Sequence, residues 1–166
     1  MVRLQGRKAV ADRSLRHSVS VAGVVMDDLG RALLVQRRDN GHWEPPGGVL
    51  ELEESVPDGL RREVLEETGL TVEPVGLTGV YKNMTRGIVA LVFRCRVLGG
   101  VLSSNAEVKA FHWATRQEVT AMLDEAYAVR VLDAMDVEGA SVQVRHHDGV
   151  RLLPEPPVEG PGKRVR

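Results

Sequence analysis

Hydrophobic and polar positions alternate along several short stretches of this chain, and each stretch predicts a β-strand. Residues 19–26 and 32–36 are two such stretches, and the turn signal between them predicts a hairpin. Residues 71–81 and 88–97 are apolar and rich in β-branched side chains, which predicts a second hairpin. Much of the chain is therefore expected to form a β-sheet.

Helical periodicity appears between the two predicted hairpins. Val56, Leu60 and Val64 recur at helical spacing and form an apolar stripe. Ser55 is suited to cap the start of this helix, and Gly69 can adopt the left-handed conformation that ends it. We therefore expect an amphipathic helix between Ser55 and Gly69.

The chain after the second hairpin continues with strand and helix signals. Residues 107–113 alternate as a further strand. Thr115 and Glu118 have the spacing of a capping box, so we expect a helix, with or without a break, from Arg116 to about Met135. Residues 141–153 predict a strand, a turn and another strand, which would form a small extra hairpin.

This order of strands and helices predicts an α/β sandwich with a mixed central sheet. We expect one domain at residues 18–153. Residues 1–17 form a basic arm, for which a phosphate contact and a solvated terminus both stay open. Residues 154–166 are rich in proline, glycine and charge, which predicts a disordered tail.

Composition narrows the class of protein. The chain has 166 residues, 43% of them hydrophobic and 27% charged, with a formal net charge of −1. These values are ordinary for a soluble domain and favour neither a membrane nor a nucleic acid as partner. Cys95 is the single cysteine and lies in an apolar run, so we expect a core position and a cytoplasmic protein. A homodimer stays open.

An acidic sector lies beside the apolar stripe of the first predicted helix. At about 100° per residue, Glu63, Glu66 and Glu67 project to the same side. Carboxylates this close repel one another, and the C-terminal end of a helix disfavours them further, unless a cation binds among them. Oxygen ligands suit Mg²⁺, or Mn²⁺ in its place. The alternative is a solvated acidic face, which the spacing of the three glutamates alone favours.

The wider pattern around these glutamates is more specific. Gly48 is followed after five residues by Glu54, and after seven more by the run REVLEETGL at residues 62–70. This pattern resembles the Nudix box at every defined position. The departures are mild: Pro45 stands where an aliphatic residue is usual and Gly59 where alanine is common. The resemblance implies a Nudix-like α/β/α sandwich and a Mg²⁺-dependent hydrolase of nucleoside diphosphate derivatives.

The resemblance also implies roles for individual residues. The three glutamates of the acidic sector would bind the metal, together with a backbone carbonyl of the Gly-Gly segment, which we assign to Gly48. Arg62 would orient the cluster through Glu66, one turn further along the helix, and Glu54 would join from the outer shell. These residues would together form the metal site.

Two residues compete for the role of general base. Glu63 belongs to the box, whereas Glu107 stands at a junction of loop and strand where family members often carry an acidic residue. A glutamate that binds Mg²⁺ is a poor base, because the cation stabilises its charged form. This argument favours Glu107, although an ordinary surface glutamate would give the same sequence.

The candidate substrate contacts are Arg37, Trp43 and Tyr81. Arg37 could present its planar fork to a phosphate, Trp43 could stack on a base, and Tyr81 lies near the turn of the second hairpin. Packing under the loop is the alternative for Trp43. For Arg37 and Tyr81 the alternative is plain surface exposure.

The identity of the substrate is less well determined. Residues 85–88 read TRGI, and so lack both the proline that suggests ADP-ribose and the tyrosine that suggests diadenosine polyphosphates in this family. A MutT-like nucleoside triphosphate pyrophosphatase is therefore the default, and an ADP-ribose or nucleotide-sugar pyrophosphatase is the alternative. A non-catalytic, nucleotide-sensing module is a third hypothesis, against which the intact set of carboxylates argues.

Overall fold

The computed structural model describes residues 16–136 and 141–155. Most of the predicted arm and tail, residues 1–15 and 156–166, lies outside this part of the chain. The strands are β1 (Ser18–Met26), β2 (Ala32–Arg37), β3 (Trp43–Glu44), β4 (Gly47–Val49), β5 (Leu70–Asn83), β6 (Ile88–Gly100), β7 (Val108–Ala114) and β8 (Gln143–His147). The helices are α1 (Val56–Thr68), α2 (Arg116–Met122) and α3 (Glu125–Met135).

The strands form one mixed sheet. Its order is β3-β2-β1-β6-β5-β8, with β4 paired to β1 and β7 paired to β2. The pairs β1–β6 and β5–β8 are parallel, and the others are antiparallel. The predicted α/β class with a mixed central sheet is confirmed.

Two apolar cores fill the space between the sheet and the helices. Leu60 and Val64 of α1 pack against Val21 and Leu33 on one face of the sheet. The second core holds Val131 of α3 together with residues of α2 and of the opposite face of the sheet. Helices therefore cover both faces, which is the layer arrangement of an α/β/α sandwich.

The first predicted hairpin is present, because β1 and β2 pair antiparallel across the turn, but its ladder is short. Strands β1 and β2 are paired only where Met26 meets Ala32. One edge of β1 pairs along its whole length with β6, so β4 and β2 have to share the other edge. Because β4 takes the part of that edge at residues 20–22, β2 meets β1 only near the turn, and its longest ladder is with β7 on its other edge.

The second predicted hairpin is confirmed, since β5 and β6 pair antiparallel over most of their length. The predicted extra hairpin near the C-terminus is present only as a short turn, and its first strand joins the main sheet. Strand β8 pairs in parallel with β5, and a single bridge joins His147 to Leu152. The open edge of β5 supplies more backbone partners than the short return strand does.

The helix ends match the sequence signals. Ser55 accepts a hydrogen bond from the Asp58 amide at the start of α1, and Gly69 ends the helix with φ of 79°. Thr115 and Glu118 form the predicted capping box, and the second helical stretch breaks between α2 and α3.

Cys95 is buried, as expected. Within the described residues, no helix is both long and apolar enough to cross a bilayer.

Candidate active site

Arg62 holds the acidic sector of α1 together. Its guanidinium donates to both carboxylate oxygens of Glu54, at 2.6 and 2.9 Å. The same side chain donates to Glu63 at 2.9 Å and to Glu66 at 3.2 Å. The hydrogen bond from Arg62 lowers the pKa of Glu54 to about 2. The predicted contact with Glu66 is present, but Glu54 is the principal partner of Arg62.

The glycines of β4 bring the backbone close to two of these glutamates. The Gly47 amide donates to Glu67 Oε2 at 2.9 Å. A Cβ at Gly48 would overlap the carboxylate of Glu63, so glycine is required for this approach. The sequence therefore places two carboxylates of α1 directly against the backbone of the glycine loop.

Burial makes the charge of these carboxylates unfavourable. It raises the pKa of Glu67 to about 7, against a hydrogen bond from Gly47 that lowers it. Burial likewise raises the pKa of Glu63, although Arg62 opposes the shift. Glu107 adds to the repulsion at both groups. A cation at this place would relieve the repulsion.

The glutamates border a cavity of about 510 Å³. Glu63, Glu66 and Glu67 line one side, the glycines of β4 line another, and Glu107 faces them from the loop before β7. Arg37 also lines this cavity. The structure thus brings together the acidic sector, the glycine loop and the loop glutamate, as predicted.

Asn105 fixes the position of Glu107, and sequence reasoning missed it. Its side-chain amide donates to the backbone carbonyls of Glu66 and Glu67 at 2.9 and 3.0 Å. Its side-chain oxygen accepts from the amides of Glu107 and Val108 at 2.8 and 2.9 Å. Asn105 therefore ties the loop to the end of α1. The sequence did contain a signal for this role, because an asparagine in a loop favours a turn in which its side chain binds backbone amides two or three residues later.

The candidate substrate contacts have different outcomes. Arg37 lines the cavity and is paired with Asp39 at 2.7 Å and Glu44 at 3.2 Å. Trp43 is half-buried, packs against the core and lies edge-on to His112, so the packing alternative applies.

Tyr81 was wrongly assigned to the substrate pocket. Its side chain is fully buried, and its hydroxyl donates to Asp133 at 2.6 Å. The register of β5 turns this position toward α3 rather than toward the turn. Burial raises the pKa of its phenol, so Tyr81 belongs to the core.

The donor set fits a divalent cation. The candidate ligands are carboxylate oxygens and a backbone carbonyl, which Mg²⁺ and similar ions prefer. In the described part of the chain, no three acidic, histidine or cysteine side chains are already arranged as a metal cage. Arg62 and the Gly47 amide instead bind oxygens of Glu63, Glu66 and Glu67. Arg62 thus supplies the positive charge in this sector.

Comparison with known proteins identifies the family. The NUDIX domain family matches residues 16–134, which include the whole site. The chain belongs to the Nudix family. A MutT-like protein of Streptomyces ambofaciens is 58% identical over 138 residues, which cover 83% of this chain and 88% of that protein.

More distant proteins agree with this assignment. An ADP-ribose pyrophosphatase of Methanocaldococcus jannaschii is 34% identical over 102 residues, covering 57% of this chain and 60% of that protein. The crystal structure of a Nudix hydrolase from Nitrosomonas europaea has the same fold, with a TM-score of 0.69 at 22% identity over 79% of this chain and 80% of that one. The protein is therefore a Nudix hydrolase, from a family that generally uses divalent metals and acts on small nucleotide substrates.

Proposed function

We propose that this Nudix hydrolase cleaves a diphosphate linkage in nucleoside triphosphates with the help of Mg²⁺, as a MutT-like pyrophosphatase. The cavity that joins the acidic sector of α1, the glycine loop and Glu107 carries the proposal. The MutT-like relative, which is similar along most of the chain, supports this class of substrate. Mn²⁺ is the expected substitute for Mg²⁺.

Glu63, Glu66, Glu67 and the carbonyl of Gly48 would hold the cation. When bound, the cation would neutralise the diphosphate and lower the pKa of a water molecule. The carboxylates Glu63 and Glu67 would supply the negative charge, and their raised pKa values result mainly from burial. Arg62 keeps Glu54, Glu63 and Glu66 in one cluster and so acts as a positioning residue.

Glu107 is our candidate for the general base. Its carboxylate is exposed and faces the cavity, whereas Glu63 is engaged by Arg62 at 2.9 Å. A base has to be free to accept a proton from the attacking water, which favours Glu107. Asn105 keeps the loop in place through its bonds to the backbone of α1.

Arg37 is our candidate for the contact with the phosphates. Arg37 lines the cavity together with the glutamates of α1. Its present partners, Asp39 and Glu44, are carboxylates, so the fork already points at oxygen ligands of the right geometry. A substrate phosphate would compete for this fork.

A panel of substrates tests the proposal. The purified protein is incubated with nucleoside triphosphates, ADP-ribose, nucleotide sugars and dinucleoside polyphosphates, with Mg²⁺, with Mn²⁺ and with a chelator. We expect metal-dependent hydrolysis, highest with a nucleoside triphosphate. Preference for ADP-ribose or a nucleotide sugar would favour the second candidate, which the archaeal ADP-ribose pyrophosphatase relative supports. Tight binding without any hydrolysis would point to a sensor.

The wider assignment follows from the same observations. We propose that residues 18–153 form one catalytic domain and that the predicted arm and tail take no part in the chemistry. A cytoplasmic location fits the unpaired, buried Cys95. Size-exclusion chromatography with light scattering decides between a monomer and a homodimer.

A further inference from the structure

Arg130 of α3 is a buried cation without an anionic partner among residues 16–136 and 141–155. Its exposed fraction is 8%, and none of the described carboxylates forms a salt bridge with it. Its Nη2 contacts Nε2 of His147 at 2.9 Å, and its Nε has no hydrogen-bond partner. The rings of Tyr127 and Tyr81 lie 4.7 and 5.7 Å from the guanidinium carbon. Burying a charge in this way is unfavourable unless a ligand compensates it.

Arg130 faces a second cavity beside the active site. This cavity has a volume of about 210 Å³ and shares Arg37, Gly47 and Gly48 with the cavity of the acidic sector. Arg86, from the turn between β5 and β6, lines it as well. One extended ligand could therefore occupy both cavities, with its diphosphate at the glycines.

The charges around the second cavity favour an anion. Arg37, Arg86 and Arg130 line it, and Glu44 is the acidic side chain among its lining residues. Glu44 is already paired with Arg37 at 3.2 Å. The guanidinium of Arg86 forms no salt bridge with any carboxylate in the described ranges. Arg86 and Arg130 thus have no carboxylate partner in the part of the chain that the structure describes.

His147 contributes to this arrangement from outside the matched family region. The family match ends at residue 134, whereas His147 lies on β8. Burial and the neighbouring Arg130 lower the pKa of His147 to about 4, so the imidazole is neutral near pH 7. A neutral imidazole can accept a hydrogen bond from Arg130 without cancelling its charge. The C-terminal strand thus holds the arginine in place and leaves it free for a ligand.

We infer that Arg130 and Arg86 form a second anion-binding subsite, which selects substrates that carry an additional phosphate or carboxylate beyond the cleaved diphosphate. This inference rests on the proposed function for its link to catalysis. The subsite itself can be tested without turnover.

Calorimetry with inorganic phosphate, in the absence of metal, tests the subsite directly. We expect phosphate to bind the wild-type protein and to bind at least about tenfold more weakly to Arg130→Gln and Arg86→Gln. Arg116→Gln is the matched control, since Arg116 lies on α2, pairs with Asp136 and does not line the cavity. Arg86 is exposed, so its substitution keeps the test valid even if Arg130→Gln fails to fold.

Kinetics with matched substrates then test selection. NADPH and NADH share one diphosphate linkage and differ by a phosphate, and UDP-glucuronate and UDP-glucose differ by a carboxylate. We expect wild-type kcat/KM to favour the more anionic member, and this ratio to fall at least about tenfold in Arg130→Gln and Arg86→Gln but not in Arg116→Gln.

Three results would overturn the inference. One is phosphate binding of equal strength in all four proteins. Another is a kcat/KM ratio near one in the wild type. The third is an equal decrease in kcat/KM for both substrates of a pair in Arg130→Gln, which would mean that Arg130 contacts a group that both substrates share. If neither these compounds nor the nucleoside triphosphates are hydrolysed, the proposed function fails, and the phosphate measurement alone decides on the subsite.

Discussion

Arg62 shows how one side chain can gather several carboxylates. It pairs with Glu54, Glu63 and Glu66 at distances of 2.6 to 3.2 Å. Glu67 lies outside this set and receives the Gly47 amide instead, so its charge is the least compensated. Burial, together with repulsion from the neighbouring glutamates, raises its pKa to about 7. We therefore expect a bound cation to stabilise the carboxylate of Glu67 more than the other three.

Replacing Glu67 tests this reasoning. In the metal-free protein the raised pKa of Glu67 means that stability decreases as pH rises from about 4.5 to about 7. Glu67→Gln removes this dependence and retains an acceptor for the Gly47 amide. We expect the variant to lose most of its turnover and the thermal stabilisation that Mg²⁺ gives to the wild type.

Thermal unfolding with and without Mg²⁺, together with kcat, measures both effects. Glu53→Gln is the control, because Glu53 is an exposed glutamate of the same segment. Turnover of Glu67→Gln within a few-fold of wild type would remove Glu67 from the ligand set.

Glu107 and Glu63 can be separated by their kinetics. Glu107→Gln should lower kcat by roughly a hundredfold or more, with KM and metal affinity little changed, because proton transfer is lost and binding is not. Steady-state assays of product formation give kcat and KM, and calorimetry with Mg²⁺ gives the metal affinity. A decrease in kcat of less than about threefold would return the role to Glu63.

His147 also makes the free energy of unfolding depend on pH, but in the opposite direction from Glu67. Its pKa is lowered from 6.5 to about 4 by burial and by Arg130, with His146 in the same direction and Asp148 opposing. Its contribution is therefore present above about pH 6.5 and is lost as pH falls toward 4. His147→Gln keeps a hydrogen-bond acceptor but does not titrate.

Urea unfolding of both proteins between pH 4 and 8 measures this contribution. We expect the wild type to lose up to about 3 kcal/mol relative to His147→Gln across the window. Parallel curves for the two proteins would show that the imidazole titrates normally and is not held neutral against Arg130.

At the scale of elements, α1 is defined by its two ends. Ser55 caps the first turn, and Gly69 closes the last with its amide donating to Leu65 O at 2.8 Å. The end of the helix sets the rotation of the acidic sector toward the glycine loop. Gly59, a departure from the family pattern, also has a reason, because a Cβ there would lie 2.6 Å from both Glu54 and Leu50.

Gly69→Ala should therefore destabilise the protein. The φ of 79° is unfavourable for alanine, and the added Cβ would lie 2.5 Å from the Val101 carbonyl. We expect a loss of about 1–2 kcal/mol in urea unfolding. Gly76→Ala is the control, because no heavy atom lies within 4 Å of its added Cβ. Equal effects of the two substitutions would contradict a special role for the helix end.

The elements that local signals specify were predictable, and their partners were less so. The caps of α1 and α2 and the β5–β6 pairing follow from neighbouring residues. The partners of β2 and β8 depend on which sheet edges remain open after distant strands have paired. The burial of Tyr81 depends on the same long-range register. Sequence periodicity does not contain this information.

At the scale of the whole molecule, one part of the candidate site could be predicted from the sequence and another part could not. The fixed spacing of the box and the family resemblance place Glu63, Glu66 and Glu67 near Gly48. Arg130 comes from α3, and its partner His147 comes from β8, 17 positions further along the chain. A contact between two such elements has no local sequence signal. The second cavity could therefore be found only in the folded protein.

The C-terminal segment joins the fold through several contacts outside the family match. Strand β8 pairs with residues 79–83 of β5, and the Val150 carbonyl accepts from the Ala126 amide at the start of α3. The carbonyl of Pro154 contacts the His146 ring at 3.0 Å. The segment therefore supports both the sheet edge and the helix that carries Arg130.

Two truncations test where the folding unit ends. A chain that stops at Pro154 keeps all these contacts, and most of the removed residues are proline, glycine or charged, a composition that favours disorder. We expect its unfolding free energy and turnover to match those of the full chain.

A chain that stops at Asp136 loses β8 and His147, which leaves the edge of β5 unpaired and Arg130 without its hydrogen bond. We expect lower thermal stability, concentration-dependent aggregation and loss of phosphate binding in the shorter chain. Full stability of the Asp136 truncation would instead place the end of the folding unit at α3.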